Sequence, residues 1–262
     1  MLTHRFDGAT LARRPDQLIV EEPLEIHLDG VLVSTTMRTP GHDFELAAGF
    51  CFTEGLLAGA PVRQCKYCGT GSAVDSEFNV VTVDTGGLAP TPTPRLTTTT
   101  SACGMCGTTA LDDLRERLHP LPPSPPMSLD VLATVPDRAG GEQELFAATG
   151  AVHSAVAFDR SGTPLVTRED IGRHNAVDKV VGRFLLDGSL PASDVGLYVS
   201  GRASFEIVQK AWAAGIGTVV AVSAPSSLAV SAARLAGMTL CGFARGGHLN
   251  VYAPEQPANM ST

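Results

Sequence analysis

The chain has 262 residues, 44% of them apolar, a formal net charge of -8 and a mean hydropathy of +0.12. That is enough chain for one or two domains with a substantial core, and the acid excess excludes a broad nucleic-acid footprint, which needs clustered Lys and Arg. No stretch reaches the roughly 18 to 20 consecutive apolar residues that span a bilayer. Arg13 and Arg14 in "MLTHRFDGATLARRPDQ" are not followed by an apolar run, so neither a secretory nor a twin-arginine signal is read and a cytoplasmic protein is expected. In that compartment Cys51, Cys65, Cys68, Cys103, Cys106 and Cys241 are expected as buried thiols, metal ligands or reactive groups rather than disulfides.

Leu24, Ile26 and Leu28 alternate with polar residues, Asp29-Gly30 supplies a turn, and Val31 and Val33 resume the alternation, which predicts a hairpin. After Asp43, a candidate N-cap, the residues Phe44, Ala47, Ala48, Cys51 and Phe52 fall at helical spacing and put Cys51 in the core. "EFNVVTVDT" (77–85) reads as a strand that runs into "GGLAPTPTPRLTTTT", a segment unable to continue a helix or a central strand. A short helix, "ALDDLRERL", starts near Thr108 or Thr109, and "HPLPPSPPMS" (119–128) is a second breaker.

From about residue 145 strands and helices alternate. "AVHSAVAF" and "TPLVTRED" read as a hairpin, and "HNAVDKVVGRFLLDG" as a helix. "VGLYVSG", "TVVAVSAP", "MTLCGFAR" and "LNVYA" read as strands, with helices "ASFEIVQKAWAAG" and "SSLAVSAARLAG" between them. The expected fold class is α/β (α+β), and the alternation taken alone implies a mostly parallel sheet covered by helices. Three segments follow: an N-terminal β-rich subdomain at 1–95, a mobile Cys-bearing loop with a short helix and Pro-rich linker at 96–128, and an α/β domain at 129–262.

Ligands of α/β sheets sit outside the carboxyl ends of strands. "VSGRASFE" (199–206) and "VSAPSSLA" (222–229) put small residues between a strand and a helix start, where backbone N–H groups favour an anion and Arg202 could add a bidentate phosphate contact. The alternative is that Ser200 and Ser226 only cap helices. "TREDIGRHNAVDK" (167–179) gathers Arg168, Glu169, Asp170, Arg173, His174, Asn175, Asp178 and Lys179. A solvated helix start with internal ion pairs accounts for most of it, whereas Arg173 and His174 could contact a phosphate or polarise a carbonyl.

"CKYC" (65–68) and "CGMC" (103–106) together follow a zinc-site pattern, but residues 69–102 between them exceed the usual ribbon spacing. A deaminase-type zinc centre is not expected, since the chain has no H-x-E triplet and Cys103 follows Ala rather than Pro. Small residues around Cys103 leave its thiol little steric cover, and the following helix N-terminus favours thiolate at Cys106 and Cys103. Such a pair suits thiol–disulfide exchange or carriage of a sulfane sulfur as a persulfide, and the Thr-rich stretch before it suits a mobile arm.

In order from about residue 20 to 253, "EEPLEIHLDG", "TPGHDFELAAGFCFTEGLL", "TSACGMCG", "TGAVHSAVAF", "REDIGRHNAVDK", "VSGRASFEIVQKA", "AVSAPSSLAV" and "GFARGGHLNVY" resemble the signature stretches of the FdhD/NarQ family of formate dehydrogenase accessory proteins. The resemblance implies a homodimeric sulfurtransferase with a cytidine-deaminase-like C-terminal domain whose mixed sheet is covered by helices. Sulfur would be accepted from a cysteine desulfurase as a persulfide and passed to the bis(molybdopterin guanine dinucleotide) molybdenum cofactor, a bound substrate destined for formate dehydrogenase. The family's essential cysteine falls on Cys103, and Cys106 matches a second one with a resolving or assisting role.

Cofactor binding falls on Phe243, Ala244, Arg245, Gly246, Gly247 and His248, with no metal held by the protein itself. There Phe243 can stack on guanine, as in GDP, Arg245 can pair with phosphate, and the glycines admit backbone N–H groups. Spacing alone favours a plain glycine turn between closing strands. Many members carry a fixed positive charge where this chain has His248, so a phosphate contact there depends on the imidazole's proton. Cys65 and Cys68 lie outside the resembling stretches and read as loop cysteines or auxiliary thiols. The competing functions are a non-catalytic molybdenum-cofactor chaperone or zinc-stabilised binding module, and a thiol–disulfide oxidoreductase.

Overall fold

A computed structural model of the chain describes residues 1–67, 77–92 and 107–255. It opens with an exposed antiparallel ribbon, β1 (Leu2–Phe6) and β2 (Leu11–Pro15). The expected hairpin follows as β3 (Glu22–Leu28) and β4 (Val31–Arg38), with Asp29 at φ 48° and Gly30 at φ 87° making the two-residue turn whose twist suits a hairpin. α1 (Asp43–Thr53), β5 (Gln64–Tyr67) and β6 (Val80–Asp84) complete a four-stranded sheet of order β4-β3-β6-β5.

α1 is apolar nearly all round, as a helix buried on both faces must be. One face packs on Leu24, Ile26, Leu28, Val81 and Val83 of the small sheet. The other meets α5 (Arg173–Leu186), and that approach is so close that a Cβ on Gly49 would run into the Asp178 carbonyl and one on Gly182 into the Glu45 carbonyl. No residue but glycine fits at either position without moving a backbone.

Before α5 come α2 (Gly107–Arg117), α3 (Leu129–Gly140), α4 (Glu144–Thr149), β7 (His153–Phe158) and β8 (Pro164–Asp170). β9 (Gly196–Val199), α6 (Phe205–Ala213), β10 (Thr218–Ala221), α7 (Ser227–Ala236), β11 (Thr239–Arg245) and β12 (His248–Ala253) follow it. The second sheet has the order β12-β11-β10-β9-β7-β8. Strict alternation splits its side chains: Ala155, Ala157, Leu197, Val199, Val219 and Ala221 join the core beneath α5, α6 and α7. Val156, Phe158, Tyr198, Val220 and Cys241 join a second core beneath α3. The layers therefore run small sheet, α1, α5, large sheet, α3.

Several expectations need correction. The large sheet is mixed, as the resemblance implies and the alternation alone does not: β9, β10 and β11 pair in parallel, while β7 pairs antiparallel with β9, β8 antiparallel with β7, and β12 antiparallel with β11. His42, at φ 57°, takes the N-cap position of α1, because Asp43 is already gripped by Arg38 Nε and Nη2 at 3.1 and 3.0 Å. Ser226 caps α7 through the Ala229 N–H, but Ser204 and not Ser200 begins α6; the Ser200 hydroxyl instead accepts from the Ser154 N–H at 2.9 Å. Cys65 sits in strand β5 rather than a loop. β1, β2, α3 and α4 were not foreseen.

The Pro-rich stretch after α2 is extended and tied down. Leu121 N–H donates to the Ala236 carbonyl at 2.9 Å, and Trp212 Nε1 donates to the His119 carbonyl at 2.7 Å.

Candidate functional site

The carboxyl ends of the three parallel strands lie side by side, and their loops bond to one another in sequence. Ser223 N–H donates to the Gly201 carbonyl and Phe243 N–H to the Ser223 carbonyl, each at 3.3 Å, while Ala203 and Pro225 form a parallel bridge. Gly242 is needed where these loops meet, since a Cβ there would lie 2.9 Å from Pro225 Cδ and 3.1 Å from the Ser223 carbonyl. The joints at 199–206 and 222–229 and the stretch 243–248 thus share one edge of the sheet.

Residues 243–248 form the end of the β11–β12 hairpin. Arg245 pairs with His248 across Gly246 (φ 57°) and Gly247 (φ 76°), a turn that places both central residues in the left-handed region. A register shift between Gly242 and Arg245 leaves Phe243 at φ 52°, rare for an aromatic residue, with its side chain 43% exposed. Arg245, Gly246, Gly247 and His248 are exposed. Ala244 differs from the other five: it is fully buried, its side chain in the core beneath α3.

Across the edge, the starts of α5 and α6 hold His174 and Glu206. His174 Nε2 is 3.4 Å from Ser204 Oγ and 3.8 Å from Glu206. Burial, with Arg173 and Lys210 nearby, holds the imidazole down to about 4, so it is neutral at physiological pH and the Glu206 contact is not an ion pair. Arg173 Nε is buried without a hydrogen-bond partner.

A cavity of about 330 Å³ opens between α1, α5, α6 and the small sheet, lined in part by Glu54, His174, Asn175, Asp178, Glu206 and Lys210. Lys210 Nζ meets Asp178 at 2.9 Å, Glu54 at 3.2 Å and Thr53 Oγ1 at 3.0 Å. Burial opposes the Lys210 charge, but Asp178 and Glu54 outweigh it and raise its pKa above the ordinary value. Beside it Lys179 pairs with the fully buried Asp170 at 2.7 Å and donates to the Thr39 carbonyl. The 167–179 cluster is therefore largely interior rather than a solvated helix start. Glu54, Glu206 and Lys210 escaped the sequence reading, although Lys210 gave a signal: it stands on the apolar stripe of Ile207, Ala211 and Ala214.

Cys103, Cys106 and Cys68 lie outside the described residues. Gly107, next in sequence to Cys106, begins α2, whose eleven residues extend about 16 Å at 1.5 Å per residue. The far end of α2 is clamped to the C-terminus of α1, where Arg117 donates to the Glu54 and Thr53 carbonyls at 2.8 and 3.0 Å. The described thiols are poor nucleophiles: burial pushes Cys51 well up, Cys65 to about 11 and Cys241 to about 12. Among the described residues no His, Cys, Asp or Glu cluster is arranged for a metal, and no helix is long and apolar enough to cross a membrane.

These features define a mixed α/β protein with an open strand-end edge and a helix, α2, that follows a C-x-x-C pair directly in sequence. The chain belongs to the FdhD/NarQ family, whose sequence profile matches residues 19–258. It is 50% identical over 258 residues to the sulfur carrier protein FdhD of Streptomyces avermitilis, covering 95% of this chain and 91% of that one. It is also 50% identical to the sulfur carrier protein FdhD of Nocardia farcinica, over 95% and 90% of the two chains. A solved structure described as a formate dehydrogenase accessory protein, from Desulfotalea psychrophila, superposes with a TM-score of 0.75 at 25% identity, covering 97% of this chain and 96% of that one.

Proposed function

We propose that this protein is a sulfurtransferase that carries sulfur on Cys103 to the bis(molybdopterin guanine dinucleotide) molybdenum cofactor, in the service of formate dehydrogenase and as a homodimer. The observation that carries the reading is the near full-length match to sulfur carrier proteins, supported by a C-x-x-C pair placed directly before a helix start. In the first step the Cys103 thiolate attacks the outer sulfur of a cysteine desulfurase persulfide. A new S–S bond forms at Cys103, the donor S–S bond breaks, and the desulfurase departs as its thiolate, with no net oxidation.

Delivery as sulfide needs two electrons. Cys106 supplies them by attacking Cys103 Sγ, which releases the outer sulfur as hydrosulfide and leaves a Cys103–Cys106 disulfide for an external thiol to reduce. The field at the start of α2 favours both thiolates. The cofactor's guanine end is assigned to the exposed hairpin end, with Phe243 stacking on the ring and Arg245 pairing with phosphate, and the Gly246 and Gly247 backbone admitting close approach. Holding the large cofactor at its nucleotide end while a short arm brings sulfur is catalysis by positioning.

Incubation with a desulfurase and cysteine, followed by intact-protein mass spectrometry, tests the reading. An adduct of about 32 Da, one sulfur atom, is expected on the wild type and not on Cys103→Ala. An adduct that persists in Cys103→Ala overturns the assignment.

A further inference from the structure

Two surfaces lack a partner among the described residues and are complementary to each other. The first is the β1–β2 ribbon. A lone two-stranded ribbon is marginal in water, yet every residue from 1 to 21 except Thr3, Ala12 and Ile19 is exposed. Its register puts Leu2, His4, Phe6, Leu11, Arg13 and Pro15 on one face, where Leu2, Phe6 and Leu11 are 55%, 65% and 67% exposed. Arg5, Arg13 and Arg14 outnumber Asp7 and Asp16 there, while the whole chain carries -8, so the excess acid lies entirely outside the ribbon.

The second surface is the groove beside α4. This helix buries no residue, and Leu145, Phe146 and the neighbouring Leu165 of edge strand β8 are all exposed. The groove, of about 470 Å³, is bordered by Glu142 and Glu144. Its cations are already engaged, Arg168 with Glu45 and Lys179 with Asp170. Neither of the two glutamates, nor any of the ribbon arginines, has an ion-pair partner among the described residues.

We infer that the ribbon of one copy docks on the α4 groove of a second copy, and reciprocally, in a symmetric dimer. Apolar side chains meet apolar side chains, Leu2, Phe6 and Leu11 against Leu145, Phe146 and Leu165, while Arg13, on that same face, meets Glu142 and Glu144. A two-fold axis makes each contact occur twice, which closes the assembly and leaves neither surface bare. Residues 16–21, all exposed but Ile19, can span up to about 20 Å at 3.3 Å per residue, enough for the ribbon to leave its own chain.

The inference rests on the homodimer of the proposed function and not on its sulfur chemistry. Sedimentation equilibrium of the full chain tests it. The wild type is expected to be a dimer, and Arg13→Glu is expected to weaken dimerisation at least about tenfold through like-charge contact with Glu142 and Glu144. Adding Glu142→Arg and Glu144→Arg is expected to restore it, with circular dichroism confirming the fold of each variant. A monomeric wild type, a dimer indifferent to the arginine reversal, or a failure of the swapped charges to restore association overturns the inference. Sulfur loading of Cys103, read by mass on the same proteins, reports separately on the transfer function.

Discussion

His174 sits where a charged residue would be the obvious partner for a phosphate, and its surroundings deny it that role. An imidazole held to about 4 in the fold, against an ordinary 6.5, takes up its proton first in the unfolded chain. Above pH 6.5 it therefore carries no penalty, and stability falls as the pH drops from 6.5 toward 4. Between pH 7 and 5 the loss assignable to this group is about 2 kcal/mol, at 1.4 kcal/mol per pH unit below 6.5. Urea unfolding of wild type and His174→Gln at both pH values checks it: the variant is expected to lose less on acidification, and equal losses would remove the argument. Any fixed positive charge for a phosphate falls instead to arginine. Arg245→Ala is expected to weaken GDP binding about tenfold, the size of a lost charged hydrogen bond, read by isothermal titration calorimetry; unchanged affinity would move the nucleotide site away from the hairpin end.

At the level of elements, the α1–α5 contact fixes how the two sheets relate. Gly49→Ala is expected to cost about 3 kcal/mol or more, because the added methyl meets a main-chain carbonyl that cannot rotate away. Chemical denaturation measures it, and a loss below about 1 kcal/mol would mean the helices separate easily. Neither glycine was legible as a packing residue, since close approach needs knowledge of the partner helix. Strands β9, β10 and β11 were legible because buried runs such as Gly196–Val199 are short, apolar and bounded by glycine and serine. α3 was hidden by Pro136 inside it, and α4 buries nothing and so has no apolar periodicity to read. The ribbon strands mix arginine with single apolar residues and resemble loop composition. At the site, the strand-end joints could be read from their small residues, whereas the Glu54–Lys210–Asp178 cluster joins three helices far apart in sequence and appears only on folding.

For the molecule as a whole, polar contacts stitch the small sheet and its helix to the large sheet. Glu45 receives the Arg168 guanidinium, Asp170 accepts from the Thr39 N–H, and the Asn175 amide donates to the Met37 carbonyl. Each pairs groups more than a hundred residues apart, so the early and late parts of the chain complete one another's buried hydrogen bonds. Arg117 holds the end of α2 to α1, and the 119–128 stretch is held in turn by α6 and α7.

That last attachment gives the protein an optical probe of its own. Trp212 is the chain's single tryptophan, 2% exposed, and its indole N–H is bonded to the His119 carbonyl just beyond α2. Intrinsic fluorescence excited at the indole band therefore comes from one known position against the 119–128 stretch. Any event that pulls the 119–128 stretch off the body would wet that indole and redden its emission without a label having been added.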